Sequence, residues 1–227
     1  MSDTTTAGRI RATWDANASA WTEAVRAGRI ESRRVATDAA IVAACERQLP
    51  GPLLDLGCGE GWLLAALADR GATGLHGVDT SAALVAAVPG RAGVTAEACT
   101  YETLVADATR CAGPWRVIVA NFALLAADVV PLLTALRARL APDGVVLIQT
   151  VHPWAALGDG RYESGWREET WSAFGGAFSE PMPWYYRTLA DWTRALGDAG
   201  LTVETIEEPL HPATGRPLSL LLTCRAG

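Results

Sequence analysis

The run LLDLGCGEGWLL over residues 53–64 constrains this chain more than any other feature. An apolar strand end interrupted by Asp55 leads to Gly57, Gly59 and Gly61 at every second position, and Trp62, Leu63 and Leu64 then open a helix. Glycine carries no Cβ, so the chain can turn sharply there and a ligand can approach the main chain. Twenty residues beyond Gly59, Asp79 closes the next apolar run, GLHGVD. A carboxylate at that place can accept hydrogen bonds from both hydroxyls of an adenosine ribose. Strand, glycine turn, helix, second strand and terminal acid follow in the required order, and the loop reads as a cofactor cradle.

The rest of the chain repeats the same rhythm. Short apolar runs (VTAEAC, WRVIVAN, GVVLIQTV) alternate with helical stretches, and a helix over 188–200 is followed by strands over 201–207 and 217–224. Strands alternating with helices imply right-handed crossovers. The expected fold is α/β, a doubly wound, mostly parallel seven-stranded sheet with helices on both faces. Residues 1–49 carry apolar side chains at helical spacing, with Gly28 as a break and Pro50 as a stop, and read as an N-terminal helical lid. Residues 50–227 then form the main domain. Within it, 153–187 hold nine of the sixteen aromatic residues. That stretch is too long and too aromatic for an ordinary connection and reads as an ordered insertion after the fifth strand, covering the site.

The glycine spacing is G-x-G-x-G, not the G-x-G-x-x-G of a dinucleotide site, and Asp55 and Glu60 would repel phosphates. In this motif and in Asp79 the chain resembles the class I S-adenosylmethionine-dependent methyltransferases, over about residues 50–151. The resemblance implies S-adenosylmethionine as cofactor and S-adenosylhomocysteine as product. It places Asp55 toward the methionine ammonium, Gly57, Cys58, Gly59 and Gly61 along the methionine, Asp79 on the ribose and Thr80 beside the adenine. An acid usual after the third strand is missing, which leaves Thr100 and Tyr101 at the adenine. Asn121 would present its carbonyl to the cofactor, and Phe122 would begin the acceptor wall. The stretch WDANASAW resembles a lid motif of related enzymes, so Trp14 and Trp21 would shield the sulfur from water. Arg33 or Arg26 would hold the methionine carboxylate.

His152 follows the fifth strand at the carboxyl edge of the sheet, where doubly wound folds bind ligands, and is the expected general base. A base is needed only if the acceptor carries a proton. His211 is a second candidate, and His76 reads as structural. Tyr162, Trp166, Tyr185 and Tyr186 offer faces for a flat or apolar acceptor, and Arg187 could meet an acceptor carboxylate.

The net charge of −6 with scattered arginines excludes a phosphate-backbone partner. Five cysteines without a CxxC pair read as reduced thiols in cytoplasm, and no metal is expected, because no histidine and cysteine set falls at ligand spacing. Neither a leader nor a membrane span is evident. The expected activity is methyl transfer to oxygen or nitrogen of a small molecule, with secondary metabolism as an analogy only. Three alternatives stand beside it: an S-adenosylmethionine-binding enzyme of another reaction such as cyclisation, a nicotinamide-dependent oxidoreductase, and a protein-binding module.

Overall fold

The computed structural model describes residues 3–158 and 160–227. Strands β1 (Leu53–Leu56), β2 (Leu75–Asp79), β3 (Val94–Ala98), β4 (Trp115–Asn121) and β5 (Leu140–Val151) alternate with helices α3 (Trp62–Ala68), α4 (Ala82–Ala86), α5 (Tyr101–Ala106) and α6 (Val130–Arg137). Before them come α1 (Asp3–Arg26) and α2 (Asp38–Glu46), the latter preceded by a π-helical turn at Arg33–Thr37. After β5 come β6 (Gly165–Glu169), β7 (Met182–Tyr186), α7 (Leu189–Asp198), β8 (Leu201–Glu207) and β9 (Ser219–Ala226).

The main sheet has seven strands in the order β3-β2-β1-β4-β5-β9-β8. The pairs from β3 to β5 are parallel, and β9 inserts antiparallel between β5 and β8. The expected fold class is therefore the observed one. Strand order reverses between β1 and β4, and in such sheets the crevice at the carboxyl ends beside that reversal receives ligands.

Both faces of the sheet are covered. Leu104, Leu133, Leu136, Trp192 and Leu196 from α5, α6 and α7 pack on Leu54, Leu56, Ile118 and Ile148. On the other face, Ile41 and Val42 of α2 and Leu63, Leu64 and Leu67 of α3 pack on Leu53, Val117, Val119 and Leu147. A strand buried on both faces must be apolar on both, which is why β1 and β4 read as nearly continuous hydrophobic runs.

One boundary shifts. The lid was expected to run to residue 49, but α2 lies on the sheet as part of the core. The chain separates near Gly28, whose φ of +63° ends the first helical segment. Only α1 stands apart, leaning on α4 and β7. No described helix is long and apolar enough to cross a membrane.

Candidate functional site

The glycine turn is held from behind. Gly57, Gly59 and Gly61 have φ of +71°, +57° and +78°, which L side chains rarely adopt. The amides of Gly57 and Cys58 both donate to the Val78 carbonyl at 2.8 and 3.0 Å. The Gly59 amide donates to Asp79 Oδ2 at 2.9 Å, and the Ser81 amide to Asp79 Oδ1 at 2.9 Å. The loop therefore keeps none of these three N–H groups for a ligand, contrary to the expectation that its amides would line one. The carbonyls that the turn also carries suit a cation and not a phosphate. A Cβ built on Gly59 would meet only Trp21 Nε1, at 3.5 Å, so the loop's missing side chain leaves room for a ligand.

Three carboxylates surround this turn. Asp55, 2% exposed within β1, is pushed up to about 8 by burial and by the negative charges of Asp79 and Glu60. Burial also raises Asp79 and Glu60. Glu60 Oε2 accepts from Trp21 Nε1 at 3.1 Å, while its Oε1 is buried with no partner. A positively charged ligand beside them would relieve their mutual repulsion and meet the unpartnered Glu60 oxygen.

Arg33, which lines the cavity as Arg11 also does, supplies a cation beside them. The Arg33 guanidinium lies 4.4 Å from the Trp62 ring and 5.9 Å from the Trp21 ring, and its Nε donates to Asp38 at 2.9 Å. Its Nη2 is buried and unpartnered. Arg26, the other candidate, donates instead to the Ala87 carbonyl and does not line the cavity.

A cavity of about 640 Å³ opens from the turn. Of the sequence candidates, it is lined by Gly57, Cys58, Gly59, Asp79, Thr80, Tyr101, Asn121, Phe122, Trp21 and Tyr185. Much of the remaining wall is apolar, with Ile10, Trp14, Leu125, Trp171, Phe174 and Trp184. Trp14 meets Trp21 edge-on at 5.1 Å and Trp171 at 5.6 Å. Asn17, fully buried, accepts from the Ser179 amide and donates to the Glu180 carbonyl, fastening α1 to the aromatic insertion. Phe122 and Trp171 have φ of +54° and +62°, strained values for such residues, and both lie on the cavity wall.

The remaining candidates stand elsewhere. His152 does not line the cavity. Its Nδ1 accepts from the Trp154 amide at 3.1 Å, so Nε2 carries the proton and donates to Glu208 at 2.8 Å, and neither nitrogen is left for an acceptor. Thr100 caps α5 by accepting from the Thr103 amide. Gly61 caps α3, with Val88 where its Cβ would be. Asp55 sits beneath the loop and not on the cavity wall.

The aromatic candidates divide. Tyr186 is buried, donates to the Pro153 carbonyl and stacks under Arg167. Tyr162 accepts from the Leu189 amide, and Trp166 packs edge-on against Tyr185 at the surface. Arg187, 4% exposed between the Tyr185 and Trp192 rings, donates to the carbonyls of Leu124, Ala126 and Ala127. Burial holds it down to about 10. It clamps the loop after β4 and has no donor turned toward a substrate carboxylate in the cavity. Trp171, Phe174 and Trp184 take the lining role, and the aromatic density of 153–187 was the signal that included them without ranking them.

A family model described as a methyltransferase domain matches residues 30–206. Among solved structures, the chain is similar to Burkholderia thailandensis 1,6-didemethyltoxoflavin-N1-methyltransferase, bound to 1,6-didemethyltoxoflavin and S-adenosylhomocysteine. That likeness has 19% identity and a TM-score of 0.68, covering 100% of this chain and 91% of that one. It is similar to the CcbJ methyltransferase of Streptomyces caelestis at 19% identity and TM-score 0.60, covering 87% and 90%. It is also similar to the glycopeptide N-methyltransferase MtfA in complex with sinefungin, at 20% identity and TM-score 0.62, covering 88% and 94%. No curated protein matches the chain in sequence.

Proposed function

Since this chain belongs to the methyltransferase-domain family and is a class I enzyme that uses S-adenosylmethionine, we propose that it methylates nitrogen or oxygen on a small, largely apolar acceptor. The observation that carries this reading is one cavity lined both by carboxylates with a glycine turn and by indole rings. Its volume suits a cofactor and a small second ligand together. Two of the similar solved structures are N-methyltransferases, which supports nitrogen as the acceptor atom.

Each residue then has a task. Asp79 takes the ribose hydroxyls while fixing Gly59, and Glu60, on the cavity wall, offsets the positive charge of the methionine end. Arg33 Nη2 pairs with the methionine carboxylate, which its lack of a protein partner favours. Thr80 and Tyr101 border the adenine. Helix α1 and the insertion, joined through Asn17, cover the cavity and exclude water.

S-adenosylmethionine, when bound, would supply an electrophilic methyl group to the acceptor's lone pair, with the neutral thioether as leaving group. What remains for the protein is alignment, worth several orders of magnitude when reacting atoms are held within contact distance. Among the described residues no histidine lines the cavity, and its acceptor side carries Asp128 and Glu169. A proton on the acceptor therefore leaves to one of these carboxylates or to solvent.

Calorimetric titration with S-adenosylmethionine, S-adenosylhomocysteine and NAD, beside Asp79→Ala, tests the site. Binding of both adenosyl ligands, lost in the variant and absent for NAD, is expected. An acceptor screen read by mass should give products heavier by one methylene. Cofactor that binds but is never consumed with any acceptor would favour the cyclisation reading.

A further inference from the structure

A second constellation lies outside the cavity. His76 on β2, Glu97 on β3 and Cys111 in the loop before β4 place one ligand atom each within 4.8 Å of one another. They are far apart in sequence, which is why no ligand spacing was visible there. None of them lines the cavity. His76 is three residues upstream of Asp79 on β2, roughly 10 Å along the strand and on the opposite face.

The separations fit a metal. His76 Nε2 is 3.5 Å from Glu97 Oε1, and Cys111 Sγ is 3.6 Å from the same oxygen. Tetrahedral zinc with its usual ligand bond lengths sets nitrogen and oxygen about 3.4 Å apart and sulfur and oxygen about 3.6 Å apart.

The polarity of the hydrogen bonds fits as well. The Thr95 hydroxyl lies 2.8 Å from His76 Nδ1 and can accept from it, its own proton then turning to the Leu75 carbonyl at 3.4 Å. In that tautomer the Nε2 lone pair faces the cluster and is free to bind a metal. A hydrogen bond on the far nitrogen is how metal-bound imidazoles are oriented. Glu97 Oε2 is taken by Arg110 at 2.7 Å, which leaves Oε1 for the cluster.

The loop is held in place too. The His76 ring lies nearly parallel to Trp115, and Trp115 Nε1 donates to the Cys111 carbonyl at 2.8 Å. Cys111 has φ of +48°. Among the described residues only Phe122 and Trp171, both on the cavity wall, share that departure without being glycine. Burial first, then the Glu97 charge, push the Cys111 thiol up to about 12, so without metal it remains a thiol donating to Glu97.

We propose that His76 Nε2, Glu97 Oε1 and Cys111 Sγ bind a zinc-class divalent ion that ties the edge strand β3 to the loop before β4. Binding replaces the thiol proton, which passes to solvent, with a sulfur–metal bond. Three protein ligands leave the fourth position to water. The site is structural, and it acts on stability and not on methyl transfer.

The test is titration of tag-free, chelator-treated full-length protein with Co²⁺. A saturable thiolate-to-cobalt absorption band at one equivalent is expected, removed by Zn²⁺ and missing in Cys111→Ser. Zn²⁺ should raise the melting temperature of the unaltered protein but not of Cys111→Ser, with circular dichroism confirming that the variant folds. His76→Gln, which keeps the thiol, should weaken Zn²⁺ binding tenfold or more. No band at several equivalents, a band that persists in Cys111→Ser, or undiminished affinity in His76→Gln each overturns the proposal.

Discussion

The two ends of the cavity are built in opposite ways. The cofactor end takes most of its polar groups from one loop and the strand beside it: Asp55 to Gly61 form a single turn, and Asp79 fastens it from β2. The proposed acceptor end is assembled from segments that meet only in three dimensions. Trp14 comes from α1, Leu125 from the loop after β4, Trp171 and Phe174 from the insertion, and Trp184 from β7. The first is fixed by backbone geometry and a few charges, whereas the second is fixed by packing. Substitutions at the first should damage cofactor binding, and substitutions that loosen the second should affect the acceptor and leave the cofactor alone.

The largest expected effect is at the cofactor end. Asp79→Ala removes a carboxylate that accepts two loop amides and the proposed ribose contacts, and charged hydrogen bonds are worth about 1.5–3 kcal/mol each. Calorimetry should give a dissociation constant for S-adenosylmethionine raised about a hundredfold or more. A change under threefold would mean that the turn is held by Val78 alone.

Next is Arg187→Gln, at the acceptor end. It strips the clamp from the carbonyls of Leu124, Ala126 and Ala127, which shape the wall next to Phe122. Once an acceptor is known, its KM should rise about tenfold, and unfolding should cost about 1–3 kcal/mol less, while cofactor affinity stays within about twofold. Equal loss at both ligands would erase the distinction between the two ends.

Asp55→Asn gives an effect that depends on pH. The folded chain holds the Asp55 proton up to about pH 8, whereas the unfolded chain releases it near 3.8. Between those values the folded state binds more protons, so this residue lowers stability as pH rises. Thermal unfolding should find the variant gaining on the parent protein from pH 5 to pH 8. Parallel melting curves across that range would show that the carboxylate carries no such burden.

The smallest effect is expected for His152→Ala. With both ring nitrogens engaged outside the cavity, turnover should stay within about twofold. Stability should fall by about 1 kcal/mol, as for the loss of a partly exposed hydrogen bond. A loss of kcat by an order of magnitude would return this residue to the chemistry.

Legibility follows the same division. The fold was readable because strands buried on both faces must be apolar runs and the alternation of such runs with helices forces parallel crossovers. The glycine turn and Asp79 were readable because their spacing is local or one crossover long. Arg33 was named but not separated from Arg26, since only the tertiary structure leaves one guanidinium buried beside Trp62 with an unpaired nitrogen. His152 misled because its place at a strand end is favourable while its partner, Glu208, lies far along the chain. Tyr186 and Arg187 misled because an aromatic or cationic residue in a binding segment can equally serve the segment's own packing, as these do.

The sequence by itself determined the sheet, the turn and the acid that closes β2, because strand pattern, positive φ and a charge at a strand end are set by neighbours along the chain. The tertiary structure alone decided which aromatic rings face the cavity, which arginine keeps a free donor and that His76, Glu97 and Cys111 converge. Those outcomes depend on side chains that meet across elements, and no periodicity along the chain records which of two faces a neighbouring element will cover.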